Sequence, residues 1–196
     1  MKIKLLVAAA ATVMASSVMA QSAFEGAYGQ IGIGYQSTKP AIDGVNFSSS
    51  NGFGSSVGLG YTFAIDKTFL LGVGAEYSPI ASSSATGTGN EAFQYKNQNT
   101  YNIFVSPAIA INKDALAYAK VGYTGTSLKV QDGGPTWNLS GYSLGLGYKQ
   151  IISGGLYGFA EGNYFSYGNK TITDDVGPFK VNANSMNLLV GVGYKF

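Results

Sequence analysis

The sequence has 196 residues, of which 45% are hydrophobic and only 11% charged, with 28 Gly, 14 Tyr and 11 Phe. It holds no Cys, no His and no Arg, which removes thiolate chemistry, a lipid-attachment cysteine, the commonest general base and metal ligand, and the guanidinium forks favoured in phosphate and nucleic-acid recognition. Lys2 and Lys4 account for the formal net charge of +2, so residues 21–196 are neutral and carry no basic patch for a nucleic acid.

Those two lysines form a positive n-region, residues 5–14 a short apolar stretch, and Val18-Met19-Ala20 a small-residue exit. Residues 1–20 therefore read as a signal peptide cleaved between Ala20 and Gln21, and residues 21–196 as one domain. Without Cys, an exported domain must be held together by something other than disulfides. No later apolar run reaches the roughly 18 residues that a membrane helix needs.

Alternation of period two recurs in eight segments, 27–37, 52–64, 68–78, 100–111, 115–127, 138–150, 155–167 and 183–196. Short connections (65–67, 112–114, 151–154) alternate with long ones rich in Ser, Thr, Asn, Gly and Asp (38–51, 79–99, 128–137, 168–182). This layout predicts an all-β protein, an eight-stranded antiparallel up-and-down transmembrane β-barrel with tight periplasmic turns and four extracellular loops. Strands of this length, tilted about 45°, span the hydrocarbon, and closure leaves no edge in lipid.

Charge sets the register. A Lys facing lipid near the midplane costs roughly 2–4 kcal/mol, so Lys120 is expected to point inward, as are Glu76 and, with Asn163 and Phe159, Glu161. The lipid faces then carry Ile31, Ile33 and Tyr35, Val57 to Phe63, Phe69 to Tyr77, Leu144 to Tyr148, and Leu188 to Phe196, each at every second residue. Their small inward partners suit an eight-stranded interior. Ser106-Pro107 interrupts a strand, and because Pro cannot donate to the ladder a bulge is expected there.

The tetrapeptides GIGY (32–35) and GLGY (58–61 and 145–148) echo the ending LLVGVGYKF. On alternately directed strands they put Tyr61, Tyr148 and Tyr194 at the periplasmic end, with Tyr35, Tyr77 and Tyr123 at the outer end. Amphipathic rings prefer the interface, so two aromatic girdles are expected.

The strand–loop alternation over residues 21–196 and the ending Gly191-Val-Gly-Tyr-Lys-Phe196 resemble the small outer-membrane β-barrel family that includes OmpX, OmpA-barrel and opacity-protein relatives. The resemblance implies Sec-type export, periplasmic chaperones, and a final strand whose Tyr194 and Phe196 signal to the barrel-assembly machinery. It also implies residence in a Gram-negative outer membrane among its lipid and lipopolysaccharide. The peptidoglycan-binding domain that follows the barrel in OmpA-type proteins is not expected here. Interior charges are thought to form a gate in OmpA-like barrels; with no Arg here, Glu76, Lys120 and Glu161 read instead as a self-satisfying network that stiffens a plugged lumen.

Gly54-Ser-Ser-Val-Gly58 and Gly141-Tyr-Ser-Leu-Gly145 match G-x-S-x-G, but both lie in alternating strands and no His could activate Ser56 or Ser143. No catalytic, cofactor-binding or metal-binding residue is assigned. Asp132, Asp174 and Asp175 read as solvated, and Trp137, Phe93, Tyr95 and Phe179 as loop-base contacts or strand-end anchors. The expected function is a non-enzymatic integral outer-membrane protein with an envelope-structural or surface-interaction role, its loop ligand unnamed. The alternative is a small porin-like channel for ions or small solutes; a soluble lipocalin-like barrel, which needs its apolar faces inside, ranks lower.

Overall fold

The computed structural model describes residues 23–42, 45–46, 49–80, 82–86, 93–130, 136–174 and 177–196; the expected signal peptide with its Ala20–Gln21 junction, Asp132 and Asp175 lie outside them. Eight strands build the wall: β1 (Gly26–Ile42), β3 (Ser50–Ala64), β4 (Phe69–Ser78), β6 (Phe93–Ala110), β7 (Ala115–Val130), β8 (Thr136–Ser153), β9 (Leu156–Asp174) and β10 (Gly177–Lys195). Two short strands, β2 (Val45–Asn46) and β5 (Ser82–Thr86), pair with β1 and β6. Each wall strand runs antiparallel to its neighbours, and β10 closes on β1 from Tyr28↔Lys195 to Ile42↔Val181. Pairing all round the wall thus satisfies backbone groups within the sheet, the condition for crossing hydrocarbon.

The short connections gather at one end. Between β3 and β4, Asp66 Oδ1 accepts from the backbone N–H of Thr68 (2.7 Å) and Phe69 (2.8 Å), an Asx turn. Between β6 and β7, Asn112 Oδ1 accepts from the N–H of Asp114 at 2.8 Å. Between β8 and β9, Gly154 turns the chain at φ +55°.

Two expectations need correction, the first of them at the opposite end. Most of 38–51, 79–99, 128–137 and 168–182 is not loop: β1 runs on to Ile42, β6 starts at Phe93, β8 starts at Thr136, and β9 and β10 continue to Asp174 and from Gly177. Beyond the apolar belt neither strand face needs to be hydrophobic, so these paired extensions lose the alternation that marks a strand in sequence. Nor does Pro107 make a bulge. Its strand stays in register with β4 through Leu71↔Pro107, and the pairing to β7 merely lapses between Val105↔Val121 and Ala108↔Tyr118 without shifting. A missing donor removes a ladder bond but requires no extra residue. The irregularity between β6 and β7 falls instead between Gln98 and Tyr101, where Asn99 has φ +54°.

Outward faces are apolar: Leu59, Leu146 and Leu188 are exposed by 67%, 71% and 63%. The interior is layered. Phe24, Leu70, Ala108, Leu116 and Tyr118 pack at the turn end, and Leu139, Phe165, Tyr167 and Ala183, with Trp137 against them, at the hairpin end. Between the two layers lies a band of charge.

Candidate functional site

Going round the wall, β1, β4, β7 and β9 are every second strand. β4 and β9 therefore face each other across the bore, as do β7 and β1. Each carries one inward polar side chain at the same depth: Glu76 on β4, Glu161 on β9, Lys120 on β7 and Gln30 on β1. Lys120 Nζ donates to Glu76 Oε1 and Oε2 (2.7 and 2.6 Å) and to Glu161 Oε1 (2.9 Å), so one ammonium ties opposite walls together. Gln30 closes the ring: its Nε2 donates to Glu76 Oε1 at 3.4 Å and its Oε1 accepts from Tyr157 OH at 3.0 Å.

The carboxylates are well supplied with donors. Glu161 also accepts from Tyr118 OH and Asn163 Nδ2, each at 2.7 Å, and Asn163 donates onward to Asn187 at 2.9 Å. Lys120 sits 4.2 Å from the Phe104 ring centroid and is 2% exposed, so the pairing replaces lost hydration. A second ammonium lies on the turn side. Lys149 Nζ stands 3.9, 4.8 and 5.4 Å from the ring centroids of Tyr28, Tyr157 and Tyr118, a cation–π cage. A cavity of about 10 Å³ remains on each side of the charges, one lined by Tyr28, Lys149 and Glu161, the other by Glu76, Asn102 and Asn163. Each has room for roughly one water. Nδ2 of buried Asn102 has no hydrogen-bond partner.

The glycines of the repeated tetrapeptides make this interior possible. A Cβ on Gly147 would collide with the Tyr118 ring and one on Gly145 with Asn163 Oδ1, while one on Gly60 would stand 2.6 Å from Tyr28 OH. In each GφGY at least one glycine clears room inside for a side chain from elsewhere in the wall, as Gly32 does for Phe159, whereas Gly34 lies against the backbone of Leu188.

A family model described as outer membrane protein beta-barrel domain matches residues 6–196. The chain belongs to this outer-membrane β-barrel family. Among solved structures its fold is similar to OprG from Pseudomonas aeruginosa, with a TM-score of 0.57 at 13% identity over 88% of this chain and 96% of that one. It is similar also to Ail, the attachment invasion locus protein of Yersinia pestis, seen in complex with the heparin analogue sucrose octasulfate (TM-score 0.52, 18% identity, 88% and 99% of the two chains). A third likeness is to the outer membrane protease OmpT from Escherichia coli (TM-score 0.54, 10% identity, 92% and 100%). These likenesses establish the barrel and nothing finer. None of the curated proteins matches.

Within this outer-membrane barrel, Tyr35, Tyr77 and Tyr123 lie exposed at one level and Tyr148 and Tyr194 at the other, with Tyr61 half-exposed beside Phe63. Sequence reasoning passed over Phe53, Tyr101 and Tyr142, which pair with Tyr35, Tyr77 and Tyr123 and are exposed beside them. Parity with Ile103 and Leu144 would have found the last two. It would also have found Lys149, two residues on from inward Gly147. Phe196 is exposed, its N–H donating to Ala27 O at 2.9 Å. Ser56 and Ser143 are buried in mid-strand, and Ser143 Oγ donates to Asn102 Oδ1 at 2.7 Å. Trp137 turns inward onto the hairpin-end layer, while the side chains of Phe93, Tyr95, Asp174 and Phe179 lie outside the described residues. Among the described residues no group of three or more metal-ligating side chains occurs.

Proposed function

We propose that this outer-membrane barrel is non-enzymatic and acts at its surface, in an envelope-structural or surface-interaction role exercised by its four hairpin ends, rather than through its bore. The supporting observation is the bond of Lys120 to carboxylates on opposite walls, 2.6 Å to Glu76 and 2.9 Å to Glu161. A hydrated ion would have to part these charges to pass. Catalysis lacks support for a related reason: Ser143 is held by an amide, and the chain has no His to activate it.

The same proposal places the hairpins outside and the turns in the periplasm of a Gram-negative cell, with Tyr35, Tyr77 and Tyr123 in the outer girdle and Tyr61, Tyr148 and Tyr194 in the inner one. Export with removal of residues 1–20, periplasmic chaperoning, recognition of Tyr194 and Phe196 by the assembly machinery, and a surrounding of lipid and lipopolysaccharide complete it. The second reading, a small channel, draws on the cavities flanking Lys120, which would join if its bonds opened. Planar-bilayer recording of the refolded protein tests the choice. No unitary steps are expected; discrete steps in the unmodified protein would replace the surface role by the channel.

A further inference from the structure

The outer wall is hollowed near its turn end, where a groove of about 640 Å³ lies over β4, β6, β7 and β8. Its depth follows from the outward residues taken row by row. Val73, Val105, Val121 and Leu144 pair in succession across the four strands and make a full row. Nearer the turns come Leu71, Pro107, Ala119 and Leu146, then Phe69, Ile109, Ala117 and Tyr148. An alanine of β7 interrupts both rows, so Ala117 and Ala119 form a floor between the exposed side chains of Leu71, Ile109 and Leu146. Pro107 stands opposite Ala119 where the pairing of β6 with β7 lapses, and its short ring carries the floor onto β6. The polar side chains at the border are already engaged: Tyr118 OH donates inward to Glu161, and Asp66 Oδ1 accepts from the N–H of Thr68 and Phe69.

A second copy of the chain fits this groove badly. Two barrels related by a two-fold axis would set the same patch against itself, and a hollow facing a hollow leaves both linings without partner atoms. An acyl chain is narrow and flexible enough to fill a hollow one side chain deep. The rim supplies what the rest of a lipid needs. Tyr148 ends the last row, and its amphipathic ring prefers the membrane interface, which puts the adjoining turns at headgroup height. The turn between β3 and β4 carries Asp66 and Lys67, that between β6 and β7 Lys113 and Asp114, and all four are exposed. Ala110 N–H donates to Thr68 O at 2.8 Å, tying the end of β6 to the first turn. Neither lysine forms an ion pair among the described residues. A head of one sign would meet charges of both signs here, whereas a zwitterion can satisfy both.

We propose that the groove holds one phospholipid with a zwitterionic head, an acyl chain lying over Ala117 and Ala119, the phosphate toward Lys67 and Lys113 and the ammonium toward Asp114. The site is independent of the surface role proposed above and needs only that the wall meets hydrocarbon. Native mass spectrometry of the refolded protein in a non-ionic detergent, titrated with phosphatidylethanolamine, phosphatidylglycerol or diacylglycerol of identical chains, tests it. One saturable adduct with phosphatidylethanolamine is expected at concentrations where the other two add little. Ala117→Leu with Ala119→Leu fills the floor, and Lys67→Gln with Lys113→Gln removes the cations. Each pair should weaken the adduct roughly tenfold, equivalent to about two buried methylenes in the first case and about one charge-assisted contact in the second. Should the leucine pair fail to fold, as judged by circular dichroism, Ala119→Leu alone takes its place with the same expected direction. Equal retention of diacylglycerol, preference for phosphatidylglycerol, or an adduct indifferent to both pairs of substitutions would overturn the site. A dimer that the leucine pair abolishes would give the groove to a second copy and overturn it as well.

Discussion

Lys120 Nζ lies 2.9 Å from Glu161 Oε1 although β8 separates their strands. The contact exists because both side chains enter a bore narrow enough for residues two strands apart to meet. Lys120→Met would leave Glu76 and Glu161 as unpaired buried carboxylates, a loss of about 3–5 kcal/mol. A lower urea midpoint in lipid vesicles is expected. Glu76→Gln, Lys120→Met and Glu161→Gln combined should cost clearly less, because removing paired charges together strands none of them. A Lys120→Met barrel with unchanged midpoint and conductance would remove the network from the account.

Gly147→Val sets a branched side chain against the ring of Tyr118, whose hydroxyl donates to Glu161 Oε2 at 2.7 Å. Overpacking of this kind costs about 1–3 kcal/mol. The expected outcome is a lower unfolding midpoint of a barrel that still folds; an unchanged midpoint would mean that the interior has slack at this level.

Asp66 stands in the exposed turn between β3 and β4, where hydrogen bonds from the backbone of Phe69 and then Thr68 hold its carboxyl below the usual carboxylate range. In the unfolded chain the group titrates at its ordinary value. Its contribution is therefore fully present above the ordinary carboxylate range and disappears as pH falls through the lowered folded value. Unfolding midpoints of the unmodified protein and Asp66→Ala should differ at neutral pH and converge in acid. Asp66→Asn, which keeps an acceptor oxygen, should flatten that dependence. A gap between the unmodified protein and Asp66→Ala that is constant with pH would assign the turn's stability elsewhere.

Val190 is exposed on β10 between the tyrosine levels. Val190→Lys should cost about 2–4 kcal/mol if that face meets hydrocarbon. Equal stability of the variant in vesicles would place the residue in water.

Tyr194 and Phe196 meet edge to face, with ring centroids 5.4 Å apart. Phe196→Ala is expected to reduce the amount of barrel inserted in the outer membrane while leaving refolding into detergent unaffected. Normal membrane yield would dissociate this residue from assembly.

Much of this architecture is local in origin and so was legible in the residues themselves. Eight alternating segments, their order and the inward direction of Lys120 follow from a side-chain period of two beside a hydrocarbon that rejects charge. The paired hairpin extensions were not legible, since hydrogen bonding there continues after the apolar signal stops. The lost donor of Pro107 needs no inserted residue, so a bulge does not follow from the proline alone.

The direction of each wall side chain is thus written in the order of the residues. Which inward residues meet is a property of the closed barrel. That depends on closure and on the stagger of eight strands, which bring Glu76, Lys120, Glu161 and Gln30 to one level from every second strand and set Lys149 among three tyrosines. The same closure gives the glycines of GφGY their use, since the side chains that need the space come from other strands.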